Sequence, residues 1–93
     1  MPHYVYILRC SDNSYYVGAS EDVAKRVTVH NNGSGTVYTK NRRPVVLVYQ
    51  EECENRIAAV RRERKIKKWT RAKKEALFRG DIGELKTLSK KRG

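Results

Sequence analysis

The residues of this chain that could do chemistry are few and clustered. Tyrosines stand in two triplets, YVY at 4–6 and YVG at 16–18, and Arg26 and His30 lie four residues apart. Glu63 is the only carboxylate between positions 55 and 74, among ten lysines and arginines. A phenol can bond phosphate or water, and its ring offers a face on which a base can stack. An arginine and a histidine at i, i+4 of one helix point the same way. At about 100° per residue, Ala59 and Ile66 share one direction, and Glu63 falls between Ala59 and Val60. Glu63 therefore projects from the apolar arc, while Arg61, Arg64 and Lys68 cluster on the far side. A carboxylate so placed is costly unless it is ion-paired or holds a cation. The helix alone leaves both open. His30 is also readable as a core histidine bonded to backbone, and Arg26 as a solvated rim residue.

The composition bounds what these groups act on. The chain has 93 residues, enough for one domain with one modest core. Its net charge is +11, with 33% charged residues and a pI near 10.0. That field attracts polyanions, and nucleic acid is the commonest partner of such a field. A membrane surface is disfavoured, because no Trp/Phe/Leu stripe opposes a basic face. No apolar run approaches the ~20 residues of a membrane span, and MPHYVYILRC lacks the basic start of a signal peptide. The cytoplasm is the expected location. Cys10 and Cys53 belong to no metal-ligand or dithiol spacing, and they read as half-buried free thiols. The polyanion contacts are expected from Tyr38, Lys40, Arg42 and Arg43 in a basic loop, and from Arg61, Arg64 and Lys68.

Short elements must position these residues. HYVYILRC alternates and predicts a strand over 4–9; SDNS is turn chemistry, and YYVGA predicts a second strand. Tyr6 and Tyr16 share a face only if this hairpin has an odd loop or a bulge. A two-residue Asp12-Asn13 turn would pair Tyr6 with Ala19 and separate the tyrosines. Ser20 is expected to cap a helix to about residue 31, with Glu21 and Asp22 in its first turn. Residues 32–43 read as a polar, basic loop. VVLVYQ from Val45 is apolar on both faces, which predicts the central strand. Asn55 caps a helix to about 69, and Thr70 a third to about 79 that Gly80 stops. Asp81 and Glu84 have capping-box spacing, so a last short helix is expected, ahead of a frayed tail KKRG. The organisation expected is one domain over 1–80 and a short helix or basic tail over 81–93.

These residues carry a resemblance. The two triplets, followed by Arg26 and His30 on the first helix and Glu63 on the second, resemble the GIY-YIG nuclease superfamily. Tyr4 and Val5 depart from the first triplet's Gly and Ile, and Val17 from the second's Ile. HNNGSGTVYTKNRRPVVLVYQ further resembles the superfamily's small stand-alone bacterial branch, and the likeness covers residues 3 to about 78. The resemblance implies an α+β fold, a three-stranded antiparallel sheet flanked by helices. It implies an endonuclease that hydrolyses phosphodiester bonds in DNA with one divalent metal, Mg2+ or Mn2+, in repair or DNA processing. By similarity, Glu63 holds the metal and Tyr6 orients or deprotonates the attacking water. Tyr16 joins the same cluster, Arg26 stabilises phosphoryl charge, and His30 assists proton transfer or holds the phosphate. Gly18 is structural. A free tyrosine has a pKa near ~10, so Tyr6 as a base needs the metal or Arg26 to lower it. Many members carry a supporting Asn well after the Glu; no Asn follows Asn55 here. The expected partner is DNA, single-stranded or branched forms included; the alternative is a module that grips nucleic acid through the same basic face without cutting it.

Overall fold

The computed structural model describes residues 2–91, with side chains through Leu88. Its elements are β1 (His3–Arg9), β2 (Tyr15–Ser20), α1 (Val23–Asn31), α2 (Val37–Lys40), β3 (Val46–Cys53), α3 (Arg56–Lys67), α4 (Arg71–Arg79) and α5 (Ile82–Lys91). The strands form one antiparallel sheet in the order β2-β1-β3, flanked by helices as expected.

The hairpin meets the condition that the tyrosines impose. Ser11, Asp12 and Asn13 make a three-residue loop, closed where the Cys10 N–H donates to the Ser14 carbonyl at 2.8 Å. Asn13 takes a left-handed φ of 67°, which a short polar side chain tolerates. The register pairs Tyr6 with Gly18 and Leu8 with Tyr16. Directly paired residues share a face, so Tyr6 and Tyr16 are diagonal neighbours on one side of the sheet. Val23 and Val27 of α1 pack on that side with Tyr6 and Leu8. On the other side Ala59 and Ile66 of α3 pack on Val5, Ile7 and Val17. Arg62 ties α3 to β3 through Glu51 at 2.8 Å.

Two arginines clamp the hairpin turn from opposite layers. Arg42, just after α2, pairs with Asp12 at 3.0 Å, and its carbonyl accepts the Ser11 N–H at 2.9 Å. Arg71, at the start of α4, donates to the Asn13 carbonyl and lies over the Tyr15 ring.

Several expectations need correction. The central strand is β1, not β3, because β1 alone pairs on both edges. Its Val5, Tyr6, Ile7 and Leu8 are all buried, whereas Val46 of β3 is 51% exposed. A bulge explains why β3 read as apolar on both faces: Leu8 pairs with Leu47 and Ile7 with Tyr49, leaving Val48 as the extra residue. Val48 and Tyr49 then both join the α3 side. Asp22, not Ser20, caps α1 by accepting the Lys25 N–H at 3.0 Å, so the first turn holds no acid. Ser20 is still in β2, where its hydroxyl accepts the Asp22 N–H. The expected loop over 32–43 contains α2, capped by Thr36. Asn55, Thr70 and a left-handed Gly80 act as expected, with α3 ending at Lys67. Helix α5 runs through Lys91, past the expected start of fraying; Arg92 and Gly93 lie outside the described residues. Both cysteines are free, Cys10 buried and Cys53 half-buried.

Candidate active site

On the α1 side of the sheet, four of the singled-out residues converge. Tyr6 is 1% exposed, and its ring lies directly over Gly18: a Cβ there would sit 2.5 Å from the Tyr6 Cζ. The glycine of the second triplet is therefore the floor on which the first triplet's last tyrosine rests. The Tyr6 hydroxyl lies 3.1 Å from His30 Nε2, and His30 Nδ1 lies 2.8 Å from the Thr39 hydroxyl of α2. Both His30 and Thr39 are fully buried. Gly35 makes this possible, because a Cβ at that position would come within 2.9 Å of His30 Cγ and closer still to Nδ1. The Tyr16 ring packs 5.1 Å from His30 and 6.4 Å from Tyr6, and Tyr38 lies 6.1 Å beyond it.

The charges are arranged around the Tyr6 phenol. Burial raises its pKa, and the Arg26 guanidinium beside it opposes that rise. The negative charge of Glu63 also reaches it and adds to the rise. Burial lowers the pKa of His30, and the positive charge of Arg26 lowers it further. His30 is thus a neutral imidazole near pH 7, one nitrogen donating and the other accepting.

A family model described as the GIY-YIG catalytic domain matches residues 2–76. The chain belongs to the GIY-YIG family. A UPF0213 protein of Staphylococcus saprophyticus is 51% identical over 76 residues, covering 82% of this chain and 93% of that one. A UPF0213 protein of Staphylococcus aureus is 53% identical over 77 residues, covering 83% and 94%. The solution structure of a UPF0213 protein from Bacillus halodurans is 43% identical, with a TM-score of 0.53 and coverage of 83% and 82%. That of a protein from E. faecalis is 36% identical, with a TM-score of 0.59 and coverage of 86% and 85%. GIY-YIG membership implies nuclease-type activity and nucleic-acid binding, and nucleases of the family generally use divalent metals. No helix among the described residues is long and apolar enough to cross a membrane.

Within this GIY-YIG domain the singled-out residues other than Glu63, which is ion-paired with Lys67 on α3, fall into three groups. Tyr6, Tyr16, Arg26, His30 and Gly18 share one site. His30 is not the backbone-bonded core histidine that its helix position also allowed; it bonds two side chains. In the segment after α1, Arg42 stacks 4.0 Å over Tyr38 and pairs with Asp12, while Arg43 donates to the Lys40 and Asn31 carbonyls. These arginines fasten the segment that carries Thr39; Lys40 is exposed. Arg61, Arg64 and Lys68 lie elsewhere, in a groove of about 450 Å³ between α3 and α4 that Trp69 and Lys73 also line. A second cleft, of about 530 Å³, opens beside Arg26 and is lined also by Lys25 and Arg56. Sequence reasoning missed Thr39 and Gly35. The Thr36-x-x-Thr39 spacing held the signal, since Thr36 caps α2 and so fixes where Thr39 points.

The donor set can be tested against a metal. No three His, Cys, Asp or Glu among the described residues are grouped to hold one, and Glu63 stands as a single carboxylate. That excludes a zinc-type cage of three or four protein ligands. It fits a hard cation that keeps several waters and takes further oxygens from a phosphate. The Glu63 carboxylate is 18% exposed and ion-paired with Lys67 Nζ at 2.7 Å.

Proposed function

We propose that this chain is an endonuclease that hydrolyses phosphodiester bonds in DNA with one divalent metal, Mg2+ or Mn2+. One observation carries the reading: the phenol of Tyr6 is met at once by His30 Nε2 at 3.1 Å, by the Arg26 guanidinium and by the field of Glu63. A proton acceptor and a phosphoryl-charge stabiliser at one hydroxyl, within the field of a carboxylate, are parts that phosphodiester hydrolysis needs.

In this reading Tyr6 takes a proton from the attacking water. His30 is fully buried with both nitrogens engaged, which favours a proton role over holding a phosphate. Tyr16 packs against the His30 ring and closes the wall of the cluster. Arg26, at the rim of the cleft beside α1, stabilises charge on the phosphoryl oxygens. Glu63 would hold the cation, whose chemistry there is to neutralise charge on the phosphoryl and leaving oxygens. The strand is then gripped by Lys25 and Arg56 along the same cleft, and by the Arg61, Arg64 and Lys68 groove.

The Lys67 ammonium on Glu63 favours a second reading, a module that binds nucleic acid without cutting. Nicking of supercoiled plasmid and of branched DNA, with Mg2+, Mn2+ or EDTA, separates the two. Metal-dependent nicking that Tyr6→Phe abolishes supports the nuclease. DNA retained on the protein with no nicking under any metal supports the module.

A further inference from the structure

The hydrogen-bond chain that begins at Tyr6 does not end at His30. His30 Nδ1 meets the Thr39 hydroxyl at 2.8 Å, and the Thr39 hydroxyl lies 3.3 Å from the Thr36 carbonyl. Counting donors along this chain decides which nitrogen of the neutral imidazole carries the proton. Two groups are hydrogen-bonded to the phenol of Tyr6, His30 Nε2 and the Arg26 guanidinium, whereas Glu63 reaches it only through its field. A guanidinium only donates. The phenolic proton therefore goes to Nε2, which must present its lone pair. The ring proton is then on Nδ1 and is donated to Thr39, whose own proton has the Thr36 carbonyl and the Thr36 hydroxyl as acceptors, each at 3.3 Å. Every proton has an acceptor in this arrangement. The other tautomer would aim Nε2–H and Arg26 at one phenolic oxygen and leave a buried O–H unpaired, which is costly.

We infer that Thr39 is a positioning residue that holds His30 as the Nδ1–H tautomer, with the Nε2 lone pair turned onto the Tyr6 phenol. The tautomer is independent of the nuclease reading above; its catalytic use rests on that reading. As the water O–H transfers its proton to the Tyr6 oxygen, the phenolic proton passes to Nε2, and His30 becomes an imidazolium with both N–H groups bonded. The water oxygen forms its bond to phosphorus as the bond from phosphorus to the leaving oxygen breaks. The leaving oxygen takes a proton from solvent, and the His30 proton returns to solvent through Tyr6. No net charge is created on the protein over the cycle. Thr39 suits the task because a hydroxyl already committed to a carbonyl accepts from Nδ1–H before and after the transfer.

The test uses the full chain labelled with 15N-histidine and long-range proton–nitrogen correlation spectra, with His3→Gln to assign the two rings. The expected spectrum shows His30 with a protonated Nδ1 and a bare Nε2. Thr39→Val should shift His30 toward the Nε2–H form, and Thr39→Ser should restore the original form. Nicking should fall at least about tenfold in Thr39→Val and recover in Thr39→Ser, within the ~100-fold or more that a general base supplies. A protonated Nε2 in the parent protein overturns the inference. So does a folded Thr39→Val protein with an unchanged His30 spectrum. The expected spectra with no nicking by the parent protein would overturn the nuclease reading and leave the tautomer assignment standing. Nicking with the reversed tautomer does the opposite.

Discussion

Gly18→Ala adds one methyl group, and the structure says what it meets. A Cβ at Gly18 would lie 2.5 Å from Tyr6 Cζ and 3.0 Å from Cε2, against about 3.5 Å for ordinary carbon contact. The ring must retreat by roughly 1 Å, and it is 1% exposed, so it has nowhere free to go. Overpacking of this kind costs about 1–3 kcal/mol. In a domain of 93 residues each kcal/mol lowers Tm by about 4–8 °C. The hydroxyl moves with the ring. Starting from 3.1 Å, a displacement of that size takes the bond to His30 Nε2 past the limit of a hydrogen bond. A misplacement of about 1 Å at a reacting group costs on the order of 100-fold in rate. Differential scanning calorimetry, plasmid nicking and DNA affinity together check the argument: Tm and nicking should fall while affinity holds. In an open strand position the opposite sign is expected, because replacing glycine stabilises by about 0.4–1 kcal/mol through the unfolded state. A Gly18→Ala protein that melts at or above the parent temperature and nicks at the parent rate would refute the close packing as the glycine's reason.

Glu63→Gln should change folding stability by no more than about 0.5 kcal/mol, because its i, i+4 partner Lys67 is 49% exposed and stays hydrated without it; metal-dependent nicking should drop by orders of magnitude, and a large loss of Tm with nicking intact would show a purely structural carboxylate. Neutralising Arg61, Arg64 and Lys68 together should weaken binding to all DNA sequences alike and flatten the salt slope by up to ~0.9 per lost phosphate contact, as read by fluorescence anisotropy across salt; unchanged affinity would place the DNA on the tyrosine face alone. His30 contributes a pH dependence of known sign. Its folded pKa lies below the ordinary value of 6.5, so the unfolded chain binds the proton more readily as pH falls. The stability that this group contributes is complete above about pH 6.5 and is lost as pH falls toward the folded pKa. Thermal melts from pH 8 to pH 5 should show the loss, and His30→Gln should flatten it.

Most turns and several caps were legible in the sequence because each is local. Asn13, Asn55, Thr70 and Gly80 announce their roles within a few residues. Arg26 and His30 could be singled out from residue type and spacing, Tyr6 and Tyr16 from the resemblance of their triplets, and the condition that a shared face needs an odd hairpin loop or a bulge followed from strand alternation alone. Strand order was not legible. The apolar run from Val45 suggested a buried middle strand, but a one-residue bulge puts two of its residues on the same side. A bulge depends on the partner strand and leaves no mark on composition. Thr39 was missed for a related reason. Its part is set by contact with a histidine nine residues back, across a four-residue helix too short for periodicity to reveal. Gly35 lay within the segment read only as a polar loop, whereas its task is to lack a Cβ where His30 needs room.

The clamped hairpin turn has a mechanical consequence. Asp12 is held by the arginine that follows α2, and Asn13 by the arginine that opens α4. The first clamp belongs to the segment that carries Tyr38 and Thr39, and the second to the helix that helps line the basic groove on the other side of the sheet. Three residues therefore join the two layers at the turn end of the sheet. A load that lifts Arg71 from the turn loosens the footing of the segment behind His30, so the two basic surfaces share one stiffness rather than flexing independently.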